Sequence, residues 1–346
     1  MVSINDVAKL AGVSNATVSR VFGKKEYVRK STRERVLKAA AELDYKPNRV
    51  ARSLRTRSSK IIGLIISDIQ NPFFTTLVRA VEDVAYEHNY AVFLCNSDED
   101  LNKEALYIEL MISEKVAGVI IVPTREDQCS PQRLIDTGIP TVSVDRRVLG
   151  CEIDTVILDN IKGAYALVEH LIQHGHHRIG AILSFLEITT GRERLEGYKN
   201  ALRDHGIALD PQLIKTGLPK EKIGYANTTE LLNLPQPPSA IFAGNNLLAV
   251  GTIRAIYEFG LSIPEDISLV SFDDQEWATL MKPKITVAAQ PTYELGQKAA
   301  ELVMERINND QNPNKLVMME PKLHFRESVG PPITPKEVNP QLQDQY

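Results

Sequence analysis

The chain has one tryptophan and three cysteines in 346 residues, no apolar run of membrane-spanning length, and none of the short motifs that cradle phosphate or bind zinc. Each absence removes a class of protein. A bilayer span takes roughly 18 to 20 consecutive apolar residues. The opening MVSINDVAK lacks the charged and apolar segments of a secretory signal, so a cytoplasmic location is expected. Cys95, Cys129 and Cys151 are odd in number and far apart, which indicates neither a disulfide framework nor a metal knuckle; they read as reduced structural thiols. GxxxxGK[ST], HExxH, GxSxG and a strand-linked GxGxxG are all missing, leaving no phosphate cradle, zinc site or nucleophile elbow for an enzyme. HLIQHGHH gathers His170, His174, His176 and His177, but Gly175 ends the helix between them and no Cys or paired carboxylate completes a metal site. Neither a metal nor a cofactor is expected.

The charge is unevenly placed. The whole chain is at −4, yet residues 1–60 hold fifteen Lys and Arg against five Asp and Glu, a net of +10 on an acidic remainder. A basic block of this kind suits a polyanion, with phosphate contacts supplying most of the affinity. Its end, PNRVARSLRTRSSK, carries Arg49, Arg52, Arg55, Arg57 and Lys60 and no acid. At 43% hydrophobic content, the length suggests two or three domains.

SINDVAKLAGVSNATVSRVFGKKEYV reads as two short helices around a tight turn. Ser3 caps a helix with Ile4, Val7, Ala8 and Leu10 on its apolar side, and Gly12 stands where a positive φ would end it. Ser14 caps the second helix, and Gly23 stops it. A third helix over 31–43, with Val36, Leu37, Ala40 and Leu43, completes a small core. This is a helix-turn-helix, whose second helix lies in the major groove. Asn15, Ala16 and Arg20 then face base edges: Asn suits adenine, Arg suits guanine, and Ala offers a methyl contact to thymine. Ser14, Thr17, Ser19, Tyr45 and Asn48 suit phosphates, which set register.

The stretches IxDVAxxAGVSxATVSRV and VRxSTRERVLxAAxELxYxPNxVARSL resemble the lac repressor (LacI/GalR) family of bacterial transcription regulators. The resemblance implies a homodimer on a palindromic operator. It implies a headpiece over 1–46 and a hinge helix and linker over 47–60. In the hinge, Leu54 would wedge into the central minor-groove step, with Ala51 and Arg55 beside it. The hinge is too short to be helical alone in water.

From residue 61 the pattern alternates strands with amphipathic helices. IIGLIIS, AVFLCNS, VAGVIIVP, TVSVD, IGAILSF, AIFAGN and ISLVSFD are near-continuous apolar runs, as in parallel strands covered on both faces, with helices over 75–88 and 162–174 between them. The expected architecture is α/β, with binding chemistry at the carboxyl ends of the strands. The resemblance implies a two-lobed periplasmic-binding-protein-like body over 61–330. Lobe 1 would take 61–160 plus 291–320, lobe 2 would take 161–289 plus 321–330, and a tail over 331–346 would follow. Crossings would fall near Asn160, Gln290 and Pro321.

Polar and aromatic residues gather at the strand ends: Asn71, Phe73, Phe74, Asp145, Arg146, Arg194, Asn245, Phe272, Asp273 and Gln290. Carboxylates, amides, Arg forks and aromatic faces are what a sugar's hydroxyls and C–H surfaces require. The same set resembles the ligand residues of ribose-type binding proteins and sugar-responsive repressors. Val122 stands where that pattern has an amide, and Pro219 where an aromatic is common. Trp277 fits either a cleft wall or plain packing.

Two other readings compete. A sugar-binding or sugar-converting enzyme could use Asp145 and Arg146. A catabolite regulator with a phosphocarrier corepressor would need basic residues after Gly296, where GQKAAELVMERI places Glu301 instead of an Arg. The Pro-rich tail GPPITPKEVNPQLQDQY has no a/d leucine repeat for a tetramerising coiled coil, so a dimer is expected.

Overall fold

A computed structural model describes residues 2–22, 28–45, 59–308 and 312–332, and the chain divides into two compact units, Met1–Ser59 and Lys60–Tyr346.

In the first unit α1 (Ile4–Ala11), α2 (Asn15–Phe22) and α3 (Lys30–Glu42) pack around Val7, Ala8, Ala11, Val18, Val21, Val36, Ala39 and Ala40. The Asp6 carboxylate accepts the Ser3 backbone N–H and hydroxyl at 2.8 Å each, closing the first turn, and these bonds hold its pKa below the usual value. Gly12 at φ 61 makes the left-handed C-cap. Leu10 and Leu37, expected in this core, are each 48% exposed. A residue step turns a helix by about 100°, and both lie one step off the buried stripes set by Ala11 and Val36. Their neighbours carry the packing instead.

The second unit opens with β1 (Ile61–Ile66), α4 (Pro72–Glu87), β2 (Ala91–Asn96), α5 (Leu101–Ser113), β3 (Gly118–Ile121), α6 (Gln132–Asp136), β4 (Thr141–Val144) and β5 (Asp154–Leu158). Next come α7 (Asn160–Gln173), β6 (Ile179–Ser184), α8 (Thr189–Asp204), β7 (Ile214–Gly217), α9 (Glu221–Leu232), β8 (Ala240–Ala243), α10 (Asn246–Glu258) and β9 (Ser268–Phe272). The unit ends with α11 (Glu276–Leu280), β10 (Thr286–Ala289), α12 (Thr292–Ile307), β11 (Leu316–Met319) and β12 (Lys322–His324). Two six-stranded sheets result, ordered β11-β5-β4-β3-β1-β2 and β12-β10-β9-β8-β6-β7. Pairing is parallel except for β12 against β10. Helices cover both faces, which is why β3, β4, β6, β8 and β9 are buried along their whole length.

Each sheet is the centre of one lobe. The chain passes between lobes after β5, after β10 and between β11 and β12. Lobe 2 is drawn tight at Gly197, where a Cβ on α8 would come within 2.7 Å of the Ala164 Cβ on α7. Trp277 packs on the lobe 2 core with Ile285 and Val287.

The expectation of three reduced thiols is corrected. Cys129 and Cys151 form a disulfide with a Cα separation of 5.6 Å, and only Cys95 is free and buried. The loops after β3 and β4 bring the pair together, and the odd count hid it. His176 is an interior hydrogen-bonding residue, reaching Ser239, Ser268 and the Gly330 carbonyl at 2.8 to 3.0 Å. His170 stacks on Phe325 with ring centroids 4.2 Å apart. Among the described residues no group of three or more His, Cys, Asp or Glu could hold a metal, and no helix is long and apolar enough to cross a membrane.

Candidate functional site

In the first unit α2 leaves Asn15, Ala16 and Arg20 exposed, while Thr17 and Ser19 are half-buried. Ser14 accepts the Thr17 backbone N–H at 3.2 Å and pairs with its hydroxyl at 3.0 Å, so these two residues cap the helix. Asn15 donates to the Asn5 side chain across the turn, which commits part of the amide expected at a base. Tyr45 is half-buried, with its ring 5.8 Å from Phe22. Asn48, Ala51, Leu54 and Arg55 lie outside the described residues.

In the second unit buried polar groups at the strand ends converge where the two lobes meet. Asp145 follows β4 and Asp273 follows β9, both at φ 70, a left-handed conformation that Asp tolerates better than most residues. Each backbone N–H donates to the neighbouring strand, Asp145 to Val156 O at 2.9 Å and Asp273 to Ala288 O at 3.0 Å. The two carboxylates are thus presented by matching turns in the two lobes. Asp273 accepts Gln290 Nε2 at 2.7 Å and the Asn246 backbone N–H at 3.2 Å.

The amides are fixed from behind. Asn71 Oδ1 caps α4 by accepting Phe73 N–H at 3.0 Å, and Asn245 Oδ1 caps α10 by accepting Leu248 N–H at 2.8 Å. Capping uses the oxygen and leaves each Nδ2 for other partners. Phe73 and Phe74, both 4% exposed, meet edge to face at 5.0 Å and belong chiefly to the lobe 1 core. Val122 is fully buried in that core.

Arg194 on α8 is 4% exposed. Its guanidinium lies 3.9 Å over the Phe272 ring, Nε donates to Asn160 Oδ1 at 2.9 Å, and another nitrogen donates to Gly244 O. Phe272, completely buried, therefore acts as the platform beneath Arg194, where the sequence suggested a surface for the ligand itself.

Arg146 also departs from the expectation of a ligand fork. Nη2 and Nη1 donate to Glu99 Oε1 and Oε2 at 2.6 and 2.7 Å, and to Ser67 Oγ and Pro123 O at 3.2 and 3.0 Å. Both side chains are almost wholly buried. Nε, also buried, makes no hydrogen bond but lies 3.5 Å from Asp145 Oδ2, and Gln290 Oε1 is likewise buried without a hydrogen bond.

Burial raises the pKa of Asp145 from 3.8 to about 6, against the pull of Arg146 and Arg194 and with the push of Asp273 and Glu99. Burial likewise lowers Arg194, opposed by Asp273 and Asp145. For Arg146 burial works against the charge, but Glu99, Asp145 and Glu104 outweigh it and hold the group above its usual value.

Residues the sequence reading missed hold the lobes together. Lys220 reaches Asp68 at 2.6 Å, Asn246 Nδ2 reaches Asn71 Oδ1 at 2.9 Å, and Arg192 reaches Glu126 at 2.8 Å. The Arg147 backbone N–H donates to Thr189 Oγ1 at 2.8 Å. Beside this seam a cavity of about 430 Å³ is lined by Glu126 and Leu149 from lobe 1 and by Leu186 and Arg192 from lobe 2.

A helix-turn-helix joined to a two-lobed α/β body with a polar site between its lobes defines a ligand-responsive DNA-binding regulator. Residues 3–48 match the bacterial regulatory proteins, lacI family, and residues 168–329 match a periplasmic binding protein-like domain. The chain is 38% identical over 335 residues to the probable HTH-type transcriptional regulator EndR of Paenibacillus polymyxa, covering 94% of this chain and 98% of that one. It also resembles the lac repressor dimer bound to operator and the anti-inducer ONPF, at 28% identity and a TM-score of 0.83, with 95% of this chain and 99% of that chain covered. The transcriptional regulator CelR–cellobiose complex is similar at 30% identity and a TM-score of 0.73, covering 95% and 100%. The chain belongs to the lacI family of bacterial transcriptional regulators.

Proposed function

We propose that the chain represses transcription as a homodimer on a palindromic operator, and that a small sugar between the lobes, ribose-like or another small aldose, sets its operator affinity. The observation that carries this reading is the matched pair Asp145 and Asp273, facing one site from two lobes with Asn71, Asn245, Arg194 and Gln290 around them. Vicinal hydroxyls need such bifunctional partners, and groups drawn from both lobes tie occupancy to closure. Relatives support a carbohydrate, CelR having been solved with cellobiose. The basic segment 47–60 is assigned as the hinge, with Asn48, Ala51, Leu54 and Arg55 at the operator's centre and Ser14, Asn15, Ala16, Thr17, Ser19, Arg20 and Tyr45 at each half-site. A phosphocarrier corepressor is not favoured, since Glu301 on α12 is held by Lys298 at 3.1 Å where that partner would need an Arg.

The test pairs a thermal-shift screen of aldoses with operator binding measured by fluorescence anisotropy. A sugar that raises the melting temperature should also change operator Kd. Leu54→Ala should weaken operator binding and leave sugar binding intact. Turnover of a bound sugar, or a panel of aldoses that moves neither readout, would sink the proposal.

A further inference from the structure

We propose that Glu99 sets the charge class of the effector: by taking up the fork of Arg146 it closes the interlobe site to phosphorylated and carboxylated sugars and reserves it for neutral ones. The inference rests on reading the cleft as a sugar site. A guanidinium at the carboxyl end of a strand is well shaped for an anion, because its paired N–H groups match phosphate and carboxylate oxygens. Here that match is already made. Glu99 accepts both Nη groups of Arg146 at 2.6 and 2.7 Å, with the two side chains 2% and 4% exposed. Glu99 sits at φ 59, directly after Asp98 at φ 53, so an unusual turn at the end of β2 aims its carboxylate inward. Asp98 is itself held by Asn96 and Lys103, at 2.9 and 2.6 Å.

What remains of Arg146 is the buried Nε, which makes no hydrogen bond but lies 3.5 Å from Asp145 Oδ2, so that even this single donor faces a carboxylate. Arg194 has Nε on Asn160, Nη1 on Gly244 O and its face on Phe272, so its Nη2 N–H groups are the ones these contacts leave over. Against these two cations stand four buried carboxylates, Asp145, Asp273, Glu99 and Glu104. An entering anion would lose its hydration, find the Arg146 fork filled and meet the negative ends of Asp145 and Asp273. A sugar hydroxyl meets no such barrier, since it donates to a carboxylate and accepts from an amide.

The experiment titrates the full chain with ribose and ribose 5-phosphate, glucose and glucose 6-phosphate, and inorganic phosphate, by calorimetry and thermal shift. For the wild type, each ester should bind at least about 100-fold more weakly than its parent sugar, and inorganic phosphate should leave the melting temperature unchanged. Glu99→Gln frees the fork and should raise affinity for the esters and for phosphate about ten-fold or more. An ester that binds the wild type as tightly as its parent overturns the proposal, as does a Glu99→Gln protein whose selectivity is unmoved. Removing one partner of a buried pair can prevent folding. Glu99→Asp is therefore included: it keeps the charge, retracts it by one methylene, and should give a smaller gain of the same sign, no gain counting against the idea. Should no sugar bind any protein, the sugar reading fails, while the inorganic phosphate arm still decides the role of Glu99.

Discussion

Replacing Asp145 by Asn should stabilise the protein above neutral pH while weakening its effector site. In the folded state the carboxyl pKa is about 6 against a reference of 3.8, with burial the largest cause. Between those two values the folded chain holds more protons than the unfolded chain, so stability falls as pH rises from about 4 to about 6 and is level above that. A shift of about two units corresponds to a cost of ~3 kcal/mol at pH 8 and about half as much at pH 5. Asn is nearly isosteric, carries no charge and tolerates φ 70 as well as Asp does, so it removes that cost without adding backbone strain. Thermal melts of wild type and Asp145→Asn at pH 4, 5 and 8 should therefore diverge with rising pH, the variant melting several degrees higher at pH 8. Effector affinity should drop roughly 10- to 100-fold, the worth of a hydrogen bond to a charged acceptor. A stability difference that does not change with pH, or a variant less stable at pH 8, would refute the account of Asp145 as a carboxylate held in place against its own desolvation.

Other perturbations test the frame around the site. Gly197→Ala should cost ~1–3 kcal/mol or more in urea denaturation, because its Cβ would overlap the Ala164 side chain and the α7 backbone; a neutral result would mean that the helices separate freely. Lys220→Met removes the 2.6 Å tie to Asp68 across the lobes, so effector Kd should rise several-fold. Because Lys220 is 34% exposed, salt should produce the same trend in the wild type, and calorimetry at low and high ionic strength checks both. Cys129→Ser opens a disulfide spanning 22 residues and should destabilise the oxidised protein by ~3 kcal/mol. Dithiothreitol should abolish the difference, and a wild-type melt indifferent to reductant would argue that the thiols are not joined.

The parts of this fold that were legible from sequence are those in which the signal is local. Ser3, Gly12 and Ser14 mark helix ends through their own backbone requirements, and the headpiece could be read from them. The buried strands β1, β3 and β6 show as continuous apolar runs because both of their faces are covered. Two edge strands of lobe 2 carry no such signal. β7 (IKTG) and β12 (KLH) hold few apolar residues, since an edge position leaves them partly exposed. β5 carries the same signal on a shorter scale, with TVIL an apolar run just before Asp159.

The site shows the same division more sharply. Residue types at strand ends could nominate Asp145, Asn245, Asp273 and Gln290, because topology places strand ends together whatever the details, whereas Arg194 reaches the site from α8. Which groups face a ligand and which brace one another depends on partners far apart in sequence. Arg146 and Glu99 are 47 residues apart, and Asp68 and Lys220 are 152 apart. Nothing in DRR or SDED announces that the second fork is already filled. That matters chemically, because a free Arg146 and an occupied one imply opposite effectors, an anion and a neutral polyol. Motif resemblance transfers the residue but not its charge balance; the buried carboxylate that decides the balance sits in a turn where its type alone carries no message.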